Sequence, residues 1–227
     1  MKFKLKFLFF FLFSINAFSQ NATDMIAQLQ LKMNSIKDYS VAATIKSDIP
    51  LIKIFPVRAT IYFKQKDKFR IVSKGIAILP KQGFMDISQL LSQNDSYSAI
   101  ASGSELITGT QTQIITILPN SDTTDLILAK LWMDTANITI HKSQITTRSS
   151  GTVTIDYTYK TQLSYGLPDT MIFTVDVKKF KIPKGVATDI NRSSTKENNP
   201  PAKTGKIYIQ LSNYSINKGI DDAVFKK

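Results

Sequence analysis

The chain has 227 residues, a formal net charge of +12, a single histidine and no cysteine. Without cysteine it forms no disulfide bonds, and one histidine excludes a zinc site built from the usual nitrogen and sulfur ligands. The positive charge favours an anionic membrane surface or an acidic protein as partner, and no nucleic acid is expected because no recognition motif accompanies the basic residues. The nine glycines form no phosphate-binding loop, so we expect no cofactor.

The first nineteen residues have the pattern of a secretory signal peptide. Three lysines precede an apolar run at 7–13, and Ala17 and Ser19 are the small residues that a signal peptidase requires. The run is too short to span a bilayer. We therefore expect cleavage near Ser19 and Gln20, a periplasmic location, and one domain formed by residues 20–227. Since no cysteine is available for a lipid anchor, we expect a soluble protein.

An amphipathic helix is predicted over residues 23–38, with Asn21 or Thr23 as its N-cap. A second, shorter helix is predicted over 86–92. Apolar residues that recur every three or four positions form one face of the first helix, which we expect to cover an apolar surface: Ile26, Leu29, Met33 and Ile36.

After this helix the hydrophobic period changes to two, which predicts about ten strands. Alternation is clear at 39–45, 59–63, 153–159, 171–177 and 207–211, and shorter candidates are 69–72, 99–102, 114–118, 126–133 and 138–145. The strands near 114–118 and 126–129 are apolar on both faces, so both faces should be covered. The pattern indicates a large antiparallel sheet that is strongly curved or rolled. The polar segment 191–203 is predicted to be a surface loop.

The connector between the first two strands is unusually apolar. Proline stands at both of its ends, at Pro50 and Pro56, and a connection normally runs over the surface with polar residues. This segment either covers a hydrophobic opening or is a buried strand that is not central in the sheet. Its large apolar side chains are Leu51, Ile52, Ile54 and Phe55.

A catalytic site is not indicated. His141 is the only histidine, and a hydrolase would have to combine it with Ser143 and with Asp134 or Asp156. No serine lies in a nucleophile elbow, and no calcium loop is present. We therefore expect a binding protein and no enzyme, with a secreted hydrolase that acts through His141 as the weakest alternative.

Three phrases of the chain are similar to the LolA/LolB-like family of outer-membrane lipoprotein carriers: YFKQKDKFRIVSKG, LWMDTANITIHKSQ and SINKGIDDAVF. With the export signal, the first helix and the strand order, the resemblance covers about residues 25–225. It implies a mainly β (α+β) fold, in which a curved antiparallel sheet forms an unclosed β-barrel of about eleven strands. An N-terminal amphipathic helix and short lid helices would cover the barrel.

The resemblance also implies a function. A soluble periplasmic carrier of this kind, expected to be a monomer, takes a lipoprotein from an inner-membrane transporter and delivers it to an outer-membrane acceptor, with the acyl chains held in the cavity. The alternative is an envelope sensor or adaptor with the same fold, which binds lipid or a partner protein as a signal. Methionine would suit a cavity that must adapt to varied chains and release them.

The expected cavity is lined by inward-facing strand residues and covered by the first helix and the apolar connector. Family carriers usually have an Arg-Pro pair that helps hold the lid closed; Gln65 and Lys66 occupy those positions here, so Lys66 or Arg70 is expected to control the lid. The strand residues expected to line the cavity are Val41, Ala43, Ile45, Ile61, Phe63, Tyr157, Met171, Phe173 and Ile209.

Overall fold

The computed structural model describes residues 21–50, 55–66, 68–75, 91, 96–149, 151–176 and 204–226. The helices described over their whole length are one α-helix and two 3-10 helices, the latter at Leu163–Tyr165 and Asp222–Phe225. No helix in these ranges is long and apolar enough to cross a membrane. The helix and the ten strands are α1 (Ala22–Asn34), β1 (Asp38–Asp48), β2 (Val57–Lys64), β3 (Lys68–Ser73), β4 (Tyr97–Ile107), β5 (Thr110–Pro119), β6 (Leu126–Asp134), β7 (Thr139–Thr147), β8 (Gly151–Thr158), β9 (Thr170–Asp176) and β10 (Thr204–Ile216).

Four sequence expectations fall outside the described residues: the signal peptide, the helix at 86–92 apart from Leu91, the loop at 191–203, and the connector residues Leu51, Ile52 and Ile54. Leu91 is helical and 1% exposed.

The ten strands form one antiparallel sheet in the order β3-β2-β1-β10-β9-β8-β7-β6-β5-β4. The two edge strands, β3 and β4, do not pair with each other in the described part of the chain, so the sheet remains an unclosed barrel. The predicted mainly β architecture is confirmed, and each of the ten segments of alternating or apolar sequence is a strand. Two strands are much longer than predicted: β4 runs from Tyr97 to Ile107, with a bulge between Ala101 and Gly103, and β10 runs from Thr204 to Ile216.

The first helix begins as predicted and ends earlier. The Asn21 side chain accepts a hydrogen bond from the Thr23 amide at 3.2 Å and caps the N-terminus. The helix ends at Asn34, and the prediction that it continues to residue 38 is wrong. Asp38 instead begins β1, where its carboxylate accepts hydrogen bonds from the Lys218 and Gly219 amides, each at 3.1 Å. These bonds fix the start of β1 beside the end of β10.

The concave face of the sheet carries two separate groups of buried side chains. The first core cluster belongs to β1, β2, β8, β9 and β10, with Phe173 and Ile61 fully buried at its centre. The second core cluster joins α1 and Leu91 to β5, β6 and β7, with Met25 and Leu131 fully buried. The buried residues of α1 belong to the second cluster alone. The C-terminal end of the helix lies at the boundary between the two clusters.

The basic residues of β2 and β3 hold the C-terminal segment. Lys64 and Lys68 both bind the Asp222 carboxylate at 2.7 Å, and the Arg70 guanidinium donates to the Val224 carbonyl at 2.7 Å. The two lysine hydrogen bonds lower the pKa of Asp222 to about 2. This part of the basic stretch therefore has partners within the chain.

Candidate functional site

A cavity of about 200 Å³ lies between the C-terminal half of α1 and the sheet. Its wall is mostly apolar and aromatic, and five of the eight tyrosines of the chain contribute to it. The lining residues are Leu29, Lys32, Met33, Ile36, Tyr39, Val41, Phe63, Phe69, Ile138, Thr139, Ile140, Tyr157, Tyr159, Tyr165, Gly166, Leu167, Pro168, Met171, Leu211 and Tyr214.

Two tyrosines on β8 and directly after it form one side of the wall. The Tyr157 hydroxyl shares a hydrogen bond of 3.0 Å with the Ser143 hydroxyl, and Tyr159 donates to the Ile140 carbonyl at 2.8 Å. Both partners belong to β7, so the hydroxyls are satisfied by the neighbouring strand while the rings face the cavity. A buried hydroxyl without a partner would be costly, and these bonds avoid that cost.

Two more tyrosines form the opposite side. Tyr214 donates to the Pro168 carbonyl at 2.7 Å, which links β10 to the β8–β9 connection. Tyr39 stacks on Phe63 with ring centres 5.2 Å apart, and its ring meets Tyr214 edge to face at 5.8 Å. These aromatic contacts fix the orientation of rings that line an open space.

Burial around the cavity raises the pKa of all four of these tyrosines. It raises the pKa of Tyr157 to about 12 even though the Ser143 hydroxyl acts in the other direction. The pKa values of Tyr39, Tyr159 and Tyr214 are raised further, again mainly by burial. The cause is the poor solvation of a phenolate among apolar side chains.

The structure brings seven of the predicted site residues together at the cavity. They come from the helix side and from four strands, and they are Leu29, Met33, Ile36, Val41, Phe63, Tyr157 and Met171. Ile36 lies beyond the end of α1 but is buried, at 5% exposure, because the chain turns there into β1 beneath the helix.

The other predicted site residues lie elsewhere. Phe55 is 90% exposed, and the three other connector residues are outside the described ranges. Ile26 packs in the second core cluster, while the remaining five lie in the first core cluster without lining the cavity: Ala43, Ile45, Ile61, Phe173 and Ile209. They share the concave face, where their neighbours fill the space around them.

Lys32, in the last turn of α1, ties the helix to the opposite side of the cavity. Its ammonium group donates to the Asn137 carbonyl at 2.6 Å and to the Leu163 carbonyl at 2.9 Å. Gly166 has a left-handed φ of +68°, and a Cβ there would lie 3.3 Å from the Lys32 Cε atom, so glycine lets the lysine stem pass. Burial lowers the pKa of Lys32, and the nearby charge of Asp134 partly opposes this.

Gln65 holds the C-terminal end of α1. Its side-chain amide donates to the Asn34 carbonyl at 2.8 Å and to the Ile36 carbonyl at 3.1 Å. The Asn217 amide donates to the Ser35 carbonyl at 3.0 Å from the other side. The last carbonyls of a helix lack partners within it, and here side chains from β2–β3 and from the end of β10 supply them.

Of the two residues expected to control the lid, one lies in an exposed turn and the other contacts the C-terminal segment. Lys66 is exposed in the turn between β2 and β3, with a φ of +68°. The Arg70 guanidinium donates to the Val224 and Lys226 carbonyls and so contacts the C-terminal segment. Of the two residues at the family's Arg-Pro positions, Gln65 is the one that binds the helix, a role that sequence analysis assigned to a cation.

His141 lies at the edge of this region. Its Nε2 atom is 3.9 Å from the Asp134 carboxylate, and its ring lies 5.9 Å from that of Tyr159. Ser143 forms its hydrogen bond with Tyr157, and His141 and Ser143 do not bond to each other. The described residues include no group of three acidic or histidine side chains that could hold a metal ion.

Sequence analysis did not assign several lining residues to the site. Tyr39 and Leu211 belong to the same alternating patterns as the predicted residues, so that signal could have identified them. Residues 165–168 lie between β8 and β9, where no periodicity marks a cavity wall. Tyr214 follows Asn213, whose positive φ interrupts the regular extension of β10.

Solved structures of three proteins are similar to this chain. A DUF1329-family protein from Desulfovibrio piger has a TM-score of 0.61 at 13% identity, over 90% of this chain and 95% of that one. A protein from Vibrio parahaemolyticus, described as an outer-membrane lipoprotein-sorting protein domain, has a TM-score of 0.61 at 9% identity, with the same coverage. A LolA-superfamily protein from Nitrosomonas europaea has a TM-score of 0.56 at 12% identity, over 91% and 98%.

No protein-family model and no curated protein matches the sequence. At identities of 9–13% the structural likeness establishes the fold. The LolA-like fold expected from the sequence is confirmed.

The buried tyrosines of the cavity wall are predicted to lose their phenolic protons at a higher pH in the native protein than in the unfolded chain. In the native protein Tyr39, Tyr157, Tyr159 and Tyr214 should ionise at about pH 12 or above, whereas in urea all eight tyrosines should ionise near pH 10. Between those values the unfolded chain has released protons that the native protein retains. The free energy of unfolding therefore falls as the pH rises from about 10 to 12, and these groups do not change it below pH 10.

Phenolate absorbance of the native and the urea-unfolded protein measures this titration, and urea unfolding at each pH measures the stability. The Tyr157→Phe variant is the control, since it should remove one late-ionising group. A single native titration step near pH 10 that includes all eight tyrosines would contradict the buried wall.

The Gln65 contacts predict that removing this side-chain amide loosens the C-terminal end of α1. The Gln65→Met variant keeps the length of the side chain and removes both donated bonds, so the last-turn amides of α1 should exchange about three- to tenfold faster. Hydrogen exchange read by mass spectrometry or NMR measures the effect. Lys66→Met, in the same exposed turn, is the matched control; equal exchange in the two variants would show that Gln65 does not hold the helix.

Proposed function

We propose that this chain, which has the LolA-like fold, is a soluble periplasmic carrier for acyl chains of lipoproteins or other lipids. It would receive them from an inner-membrane transporter and deliver them to an outer-membrane acceptor. The observation that supports this most is the apolar cavity under the end of α1. One structural neighbour is described as a lipoprotein-sorting protein domain, which supports the same function.

The energetics favour a cavity that opens locally. Removing one methylene group from water gains about 0.8 kcal/mol, so about ten buried methylenes gain about 8 kcal/mol. The space of about 200 Å³ is smaller than the pockets of about 300–1,000 Å³ that enclose drug-sized ligands. A full chain therefore requires the C-terminal half of α1 to move away from the sheet.

The contacts that resist this movement are few and polar. Lys32, Gln65 and Asn217 each contribute one or two hydrogen bonds near the C-terminal half of α1, and such a bond contributes about 0.5–1.5 kcal/mol to stability. Buried methylene groups can offset bonds of this strength. The N-terminal half of α1 stays packed through Met25 and Ile26, which are nearly inaccessible to solvent.

Release must be as easy as uptake. Met33 and Met171 line the cavity from opposite sides, and methionine adapts its shape to variable contents at low cost. The described wall of the cavity includes no acid, and His141 does not line it. The proposed activity is therefore reversible binding, without bond cleavage.

The test is extraction of a fluorescent triacylated lipopeptide from vesicles. The protein should bring the lipopeptide into the soluble fraction after the vesicles are sedimented, and should leave the same peptide without acyl chains unmoved. Ile140→Trp fills the cavity and should reduce extraction at least about tenfold. Ile100→Trp, on β4 at 51% exposure, is the matched control and should extract like the wild type.

Equal extraction by Ile140→Trp, with its melting temperature unchanged, would show that the chains bind elsewhere. Binding of the lipopeptide at the vesicle surface without extraction would contradict the carrier function and favour the lipid-sensing adaptor.

A further inference from the structure

The cavity wall has one charged side chain among its described residues. That side chain is Lys32, and the rest of the wall is apolar, aromatic or neutral. A cation beside an apolar space is not needed to enclose hydrocarbon. It indicates that one end of the ligand is polar.

The Lys32 ammonium forms no ion pair within the described part of the chain, although the charge of Asp134 acts on it from a distance. Its two hydrogen-bond partners, the carbonyls of Asn137 and Leu163, are neutral. The nearest acid, Asp134, directs its oxygens to the Ala136 amide at 2.8 Å and to the Asn137 side chain at 2.7 Å. An ammonium has three donors, and the third remains for a ligand. Partial burial without a paired anion is unfavourable, and burial lowers the pKa of this lysine accordingly.

A second polar group in the cavity wall lacks a partner. Thr139 is 1% exposed and lines the cavity, and its hydroxyl oxygen is buried without a hydrogen bond to any described residue. It lies two residues after Asn137, whose carbonyl binds Lys32 at 2.6 Å. Buried hydroxyls are nearly always bonded in native proteins, so an orphaned one in the same cavity wall as an ammonium without an ion pair points to a missing acceptor.

The backbone between them is strained. Ile138 has a φ of +49°, an unusual conformation for a β-branched residue. The turn that contains it is fixed by the hydrogen bonds that Asp134 accepts from Ala136 and Asn137. This geometry places the Asn137 carbonyl against Lys32 and the Thr139 side chain at the cavity.

We propose that Lys32 and Thr139 bind the head group of the ligand, and that the ligand is a single-chain amphiphile with an anionic oxygen group, a carboxylate or a phosphate. Its oxygen accepts one hydrogen bond from the Lys32 ammonium and one from the Thr139 hydroxyl, while the hydrocarbon chain extends among the aromatic side chains. The size of the cavity favours one chain over several. This inference rests on the proposed function, because it specifies which lipid the same cavity accepts.

The experiment compares ligands that share one chain and differ in the head group. Palmitic acid, its methyl ester and palmitoyl lysophosphatidic acid are each used below their aggregation concentration to displace a neutral fluorescent dye from the protein. Wild-type protein should bind at least one of the two anions about tenfold more tightly than the ester, because a charge-assisted hydrogen bond is lost in the ester. Which anion binds more tightly distinguishes a carboxylate ligand from a phosphate ligand.

Variants assign the preference to the two residues. Lys32→Met keeps an apolar stem of similar length and should bring the ratio of anion to ester affinity close to one. Thr139→Val keeps the shape and should lower the ratio about threefold. Lys32→Arg should retain most of it. Lys206→Met, on an exposed position of β10, removes the same charge and should leave the ratio unchanged.

The outcomes separate this inference from the proposed function. Wild-type binding of the ester and both anions with equal affinity would overturn the inference and leave acyl-chain binding intact. Absence of binding by all three ligands, with extraction of the triacylated lipopeptide intact, would overturn the inference alone; loss of both would contradict the proposed function itself. If Lys32→Met weakened the ester and the anions by the same factor, Lys32 would act only as a tie for the helix, and the inference would be wrong.

Discussion

The structure depends on a mismatch between one helix and the sheet that it covers. Thirteen helical residues extend about 20 Å, whereas ten strands at ordinary spacing span about 43 Å. In the described part of the chain, α1 packs on β5, β6 and β7 and leaves the face of β1, β2 and β8–β10 largely to its own side chains. Two core clusters result instead of one, and the cavity lies where the end of the helix passes over their boundary.

The aromatic part of the cavity wall is stable around an open space, because its tyrosine hydroxyls have hydrogen-bond partners outside the cavity. The hydroxyls of Tyr157, Tyr159 and Tyr214 bond to neighbouring strands or loops, so their rings are fixed in position and need no polar contact from within. The covering helix is fixed differently. Its N-terminal half is held by buried apolar side chains, and its C-terminal end by two hydrogen bonds each from Lys32 and Gln65. Local opening of that end is therefore separable from unfolding of the sheet.

The sequence was sufficient for the ten described strands and for the start of the first helix, but the prediction that both faces are covered near 114–118 and 126–129 is wrong, because Leu118 is 38% and Ile127 42% exposed. A period of two identified five of the ten described strands, shorter apolar or alternating runs identified the other five, and the three- to four-residue spacing identified the helix. It was not sufficient to distinguish cavity wall from core. Val41 and Ala43 lie on the same face of β1, and only the position of the helix end leaves space beside the first of them. The contacts that hold the C-terminal end of α1 could not be predicted from the sequence either. Gln65 binds backbone carbonyls there, and a pattern of side chains does not indicate such bonds.

The most direct test of this account is a crystal structure of the protein with a fatty acid that carries bromine at the end of its chain, located by anomalous scattering. The account predicts a bromine peak inside the cavity between Met33 and Met171, with the C-terminal half of α1 displaced from the sheet. A bromine peak only on the convex face, with α1 and its hydrogen bonds unchanged, would contradict it.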